Sequence, residues 1–368
     1  MSYSHTRFLY SLTDCSALKL SKSFLSLNQH SLRHWVAHAQ LERFRGKFDE
    51  ARKVYHAVLM ASKPKAYQTE AVLLWWNWAE MEWLAGADQV ALTVILSSVG
   101  IQGQGSGVTL LRARRALYDN IESARASERW KEREAWVKLR VLVDILAGPL
   151  TSALGVGDQY LLKETSEPAR ESLTTSLLLM VFYYGSVLKR PMQPAAMQLR
   201  ATHALEAYPS NSLVLGVFLE ANKGQGVWGV VRNVVGNKGP RTKDVPRRLA
   251  EVWMATWREG QWVNEVERTR SGLANAVDHV RSVPTAFDIK QCADVRRTSA
   301  SPVLWRVYLE FEIRAKQPHR AKKLLYRAIG QCPYSKGMPK LRAATIPINL
   351  DRTLYFSVWT ITWRIPTA

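Results

Sequence analysis

Three stretches of the chain carry apolar residues at helical spacing with the same punctuation. In the first, Trp35, Ala39 and Glu42 stand at i, i+4 and i+7, one stripe of a helix, and Gly46 follows where that helix should stop. Ala51, Val54, Tyr55 and Val58 then form the apolar stripe of a return helix, with Asp49 read as its N-cap and Pro64 closing the unit. Forty residues on, Trp75, Ala79, Glu82, Gly86 and Ala91 repeat the pattern, and Trp305, Tyr308, Glu312 and Ala321 do so near the other end. Trp to Glu spans seven residues and Glu to Ala nine in all three copies. Such self-similarity predicts an all-α fold, an α-α superhelix (solenoid) of helix-turn-helix repeats, in which each unit buries its face on its neighbours. The Trp and Tyr stripe reads as core, so Trp35, Trp75 and Trp305 are expected to be buried.

The middle of the chain is more degenerate. Leu213, Glu220 and Gly224 keep the spacing with Leu in place of Trp, and Ala195 to Ala207 reads as a helix before Pro209. Leu110 to Leu146 and Val245 to Val280 are amphipathic, anchored by Trp130, Trp136, Trp253, Trp257 and Trp262. Glycine interrupts the pattern twice. The resulting division is a lead-in over 1–30, two repeats over 31–100, and a Gly-rich loop over 101–108. Degenerate helical repeats follow over 109–223, a Gly-rich basic linker over 224–245, C-terminal repeats over 246–336 and an atypical tail over 337–368.

Composition narrows the class further. Fifty-one Lys and Arg against 31 Asp and Glu leave a net charge of +20, which favours acidic protein segments or polyanions. Three widely spaced cysteines, with no Cys-x-x-Cys pair, point to a reducing compartment rather than a disulfide framework. The longest apolar run, Leu177 to Leu188, is too short to span a bilayer, and Met1 to Leu12 has no secretory pattern. No membrane role is expected.

Candidate chemistry is sparse. His34 and His38 stand four apart as in a zinc pair, but Trp35-Val36-Ala37 between them lacks the Glu of His-Glu-x-x-His, so no metal site is expected. The 101–108 loop has no Gly-Lys-Ser/Thr, and no Gly-x-Ser-x-Gly elbow is found. These readings predict no catalytic residues, no cofactor and no small-molecule substrate. Basic clusters remain, among them Arg112, Arg114 and Arg115. On the second helices of repeats, Arg52, Lys53, Lys322 and Lys323 occupy equivalent positions and are the candidate partner-binding residues. With no RNA-binding signature, a protein partner is favoured over direct RNA binding.

The Trp-Glu-Gly-Ala-Arg pattern resembles half-a-TPR (HAT) repeats, TPR-like units of RNA-processing scaffolds such as crooked-neck-type splicing factors and cleavage-stimulation subunits. Ser301 to Glu312, then Ala321 to Ile329 and Cys332-Pro333-Tyr334-Ser335-Lys336, is similar to the C-terminal signature of the nuclear-RNAi-defective family. Leu41-Glu42, Gly46 and Asp49 to Val54 resemble that family too. The likeness runs from about Leu32 to Lys336. It implies a nuclear, non-enzymatic scaffold in RNA-mediated silencing, RNA surveillance or splicing, with an exosome-associated DExH RNA helicase and splicing factors as partners. Members of that family carry a long polar N-terminal region with the helicase-contacting segment, whereas this chain starts near its repeats. Its last residues, Leu341 to Ala368, also depart from the helical pattern, as a truncated or alternatively spliced gene model would explain.

Overall fold

A computed structural model describes residues 14–61, 70–103, 105–208, 211–222 and 301–332, together with helical residues 266, 267, 270, 271, 273, 274 and 277. The expectations for Pro64, for 224–245, for Trp253, Trp257 and Trp262 and for 337–368 lie outside these residues. Every regular element among those described is a helix, and the described residues form an all-α array of helix-turn-helix repeats. The chain divides into two compact units, Met1–Pro191 with Trp359–Ala368, and Met192–Val358.

The first unit holds α1 (Asp14–Leu27), α2 (Leu32–Phe44), α3 (Phe48–His56), α4 (Ala71–Leu84) and α5 (Asp88–Ser98). It continues through α6 (Gly107–Ala126), α7 (Trp130–Ala147), α8 (Leu150–Leu162) and α9 (Glu167–Phe182). Short π-helical turns, Ala57–Ala61 and Tyr183–Val187, extend α3 and α9. Helices adjacent in sequence pair as α2 with α3, α4 with α5, α6 with α7 and α7 with α8. Across repeats, α2 packs on α4, α4 on α7 and α7 on α9, so these four make one continuous layer. Its core runs through Tyr55, Trp75, Trp78, Trp83, Leu117, Leu139 and Met180. Tyr55 and Trp75 both stack on Trp78, at 5.9 and 6.0 Å between ring centres.

The second unit contains α10 (Pro194–Ala207), which pairs with α11 (Ser212–Ala221), and α12 (Pro302–Arg314), which pairs with α13 (Pro318–Gln331). Trp305 is fully buried there among Leu273, Val277, Tyr308, Phe311 and Leu325.

One closing device ends the first helix of each punctuated hairpin. The Lys47 amide donates to Glu42 O at 3.0 Å and the Gly46 amide to Arg43 O at 2.9 Å, with Gly46 left-handed at φ 75°. This is the Schellman arrangement, which satisfies the last carbonyls of the helix. Ala87 and Gly86 repeat it on Glu82 and Trp83, with Gly86 at φ 78°. Two further hairpins use it without glycine, around Glu128 at φ 54° and Lys316 at φ 55°.

Two local expectations change. Lys47, not Asp49, is the N-cap of α3, because the Schellman closure delivers the chain into the helix at Phe48. Asp49 therefore lies in the first turn, where its charge suits the helix dipole, and it accepts a bond from Arg52 at 2.8 Å. Trp35 is only half-buried, because its ring lies at the edge of the core and its indole N–H donates to Gln29 O at 2.8 Å. Trp75 and Trp305 are buried as expected.

Candidate functional site

The glutamates of the repeat are buried, which calls for a partner, since an unpaired interior carboxylate is costly. Glu82, on α4, is 1% exposed. Its oxygens receive Nε and Nη2 of Arg52 at 2.7 and 2.9 Å, and Trp78 Nε1 donates to it at 3.1 Å. Arg52 belongs to the second helix of the preceding repeat, so this fork joins two repeats with good directional geometry. The C-terminal copy repeats it: Arg270 Nε and Nη2 donate to Glu312, also 1% exposed, at 2.6 and 3.0 Å. Hydrogen bonding to Glu82 and to Glu312 pushes these guanidiniums further up from an already high value, so both stay charged.

A third junction has the same form and escapes the Trp-Glu pattern. Arg114 Nε, on α6, donates at 2.9 Å to Asp144, buried on α7, and Arg140 binds the other oxygen of that carboxylate. Arg114 precedes Asp144 by 30 residues, the interval that separates Arg52 from Glu82. The signal was present in two places. Asp144, Gly148 and Ala153 keep the four- and nine-residue spacing of Glu42, Gly46 and Ala51, and Ala113-Arg114-Arg115 matches Ala51-Arg52-Lys53. Ala51, Ala113, Ala153 and Ala321 are all buried at these positions, as are Ala39, Ala79 and Ala91.

This registration separates the candidate partner-binding cations by role. The first cation of the pair faces inward: Arg52 is committed to Glu82 and Asp49 and links repeats rather than facing a groove. The second faces outward. The Lys53 side chain is 72% exposed, beside Glu50 at 2.8 Å, and that of Arg115 is 76% exposed. On α13, Lys322 and Lys323 occupy the two positions and both are exposed. Glu42 holds the carboxylate position of the first copy, buried, with Arg45 at 3.5 Å.

Side-by-side contacts reinforce the stack. Arg33, Gln40 and Arg43 of α2 meet Glu70, Asn77 and Glu80, each 37 residues on, a regular ladder between the first helices of two repeats. Glu134 of α7 accepts from Ser172 and Ser176 of α9 at 2.6 and 2.7 Å. Burial alone would push the Glu134 carboxyl up, but Lys138 and the two hydroxyls hold it below its ordinary value. His38 is engaged by Ser21 at 3.1 Å and His34 stacks on Phe24, so neither imidazole of the sequence pair is directed at the other. Among the described residues, no helix is long and apolar enough to cross a membrane.

No family model matches the chain. The mouse nuclear exosome regulator NRDE2 is 24% identical to it over 379 aligned positions, covering 87% of this chain. The chain spans 31% of that relative's length. Among solved structures, a chain from the Naa15/Naa10 complex bound to HypK-THB aligns with 90% of this chain and 58% of its own, at 15% identity. The TM-score is 0.24, a superposition too loose to define a shared fold.

Proposed function

We propose that this chain is a non-enzymatic helical-repeat scaffold that docks other proteins in nuclear RNA metabolism. The observation that carries the reading is the division of labour within the repeated basic pair. At Arg52 and Arg114 one cation locks onto the next repeat's buried carboxylate and the other, Lys53 or Arg115, stands on the surface at a matching position, while on α13 both Lys322 and Lys323 are exposed. Repetition of an exposed charge along the helical layer of the first unit suits an extended acidic segment, raising association rates more than affinity. The similarity to a nuclear exosome regulator supports a nuclear location and a role connected with the exosome, and the family resemblance implies RNA surveillance or silencing. An exosome-associated DExH RNA helicase and splicing factors are the partners that the family resemblance implies.

Affinity purification of the full chain from nuclear extract tests this. Protein partners should survive ribonuclease treatment, and Lys322→Glu with Lys323→Glu should lower their recovery several-fold and flatten its salt dependence while helical content is unchanged. Loss of all partners on ribonuclease treatment, with RNA bound by the purified chain and steeply salt-sensitive, would replace this reading with direct RNA binding through the basic surface.

A further inference from the structure

Between α6, α7 and α8 lies a recess of about 340 Å3 lined by Arg114, Arg115, Tyr118, Arg140, Tyr160 and Lys163. Four cations are thus gathered around one hollow. Two carboxylates answer them. Asp144 is shared by Arg114 and Arg140, and Asp119 pairs with Arg115 at 3.2 Å, which leaves two positive charges in excess. Glu122, one turn further along α6, is engaged by Arg125 at 3.6 Å.

Aromatic rings position two of the four cations, Arg115 in addition to its acid and Lys163 in place of one. The Arg115 guanidinium lies 5.7 Å from the centre of Tyr118, and the Lys163 ammonium 6.0 Å from that of Tyr160. A ring face positions a cation without neutralising it. Burial pushes the Tyr160 hydroxyl up from its ordinary value, so at neutral pH it remains a hydrogen-bond donor. The hollow therefore offers donors and no uncommitted acceptor charge. Two exposed leucines stand close to it along the helices: Leu111, on the same stripe of α6 as Arg115 and Tyr118, is 63% exposed, and Leu162, next to Lys163 in the chain, is 86% exposed.

We propose that this recess binds the phosphate of a phosphorylated serine or threonine in an extended segment of a partner protein. A phosphate monoester carries about −1.5 to −2 at neutral pH, which matches the excess of two, whereas each phosphodiester of a nucleic acid carries a single charge. A compact hollow with flanking leucines fits one phosphorylated side chain and its apolar neighbours better than a continuous sugar-phosphate track. The proposal deepens the scaffold reading, from which it takes only the identity of the partner as a protein.

The test uses the purified full chain and three probes: a glycine-flanked phosphothreonine peptide with one leucine on each side, the same peptide unphosphorylated, and oligouridylate. Calorimetric titration should show saturable binding of the phosphopeptide, at least tenfold weaker for its unphosphorylated form. Arg115→Ala with Lys163→Ala should weaken it tenfold or more, leaving circular dichroism unchanged, since both side chains are at the surface. Binding should also weaken as pH falls through about 6, where the phosphate takes up its second proton. Oligouridylate binding more tightly than the phosphopeptide, and lost in the same variant, would make the recess a nucleic-acid site. No saturable binding, or binding indifferent to the variant, would overturn the proposal outright. Because these are direct titrations, they fail or succeed separately from partner recovery in extracts.

Discussion

At the junction of α3 with α4, one guanidinium fills both oxygens of one buried carboxylate; at the junction of α6 with α7, two guanidiniums share one. The two sites hold equivalent positions in the repeat and solve the same problem, the burial of an acid inside a helical stack. The first carries no surplus cation, since Arg52 also pairs with Asp49. The second carries surplus charge, and the surplus lies where α8 leaves an opening. A repeat junction can therefore bind its neighbour and, by adding one cation, also present a site to solvent.

The largest expected effect tests whether the matched junctions depend on a single donor. Arg270→Ala would leave Glu312 buried without its fork, at a cost of about 3–5 kcal/mol. Arg52→Ala should cost somewhat less, because the Arg52 side chain is 39% exposed against 11% for Arg270, so water reaches Glu82 more readily once the arginine is gone. Native-state hydrogen exchange should show local opening of the hairpin on either side of the altered junction, with other repeats retained. Uniform loss of protection along the chain would mean that the junctions are not separate units.

The shared junction should be more tolerant. In Arg114→Ala, Arg140 remains on Asp144, so the expected cost is about 1 kcal/mol, the ordinary contribution of one hydrogen bond. Arg114→Ala with Arg140→Ala together should exceed the sum of the two single losses, as coupled partners do. Urea denaturation of the two single variants and the double variant measures this. A single-variant cost equal to that of Arg52→Ala would show that Arg140 does not substitute, and the comparison between the junctions would fail.

What could be read in the chain beforehand follows from which physical demands need a particular residue. A buried Trp is conspicuous, so the copies at Trp75 and Trp305 were legible, and the all-helical repeat with them. The α7 copy fills equivalent space with Val137, Val141 and Leu139, all fully buried, and a short acid replaces the long one, so neither volume nor chemistry is marked by a single letter. The link itself needs only a cation and a carboxylate brought together, and Arg52 to Glu82 is a contact across 30 residues that helix periodicity does not report. For that reason Arg52 reads as a surface cation in sequence and is a structural link in space. The recess was harder still. Arg114 and Arg115 stood out as a basic cluster, but Arg140, Tyr160 and Lys163 come from two other helices, and their convergence is a property of packing.

The smallest effect concerns the turns, where the same left-handed position is held by glycine in two hairpins and by Glu128 or Lys316 in two others. An added Cβ at Gly46 or Gly86 meets nothing within 4 Å, so Gly46→Ala isolates the backbone cost of φ near 75°, about 1 kcal/mol. The reverse change, Glu128→Gly, relieves that strain but gives the unfolded chain more freedom, so the net gain should be smaller, about 0.5 kcal/mol. Denaturation midpoints at unchanged slope would register both. If Glu128→Gly instead destabilised the hairpin, the Glu128 side chain would be supporting the turn rather than being tolerated in it, and the α6–α7 hairpin would differ from α2–α3 in its closure as well as in its junction. A gain at Glu128 together with a loss at Gly46 would establish one geometry for these two turns, in contrast to the connection after α7, where Gly148 is extended at φ −162°.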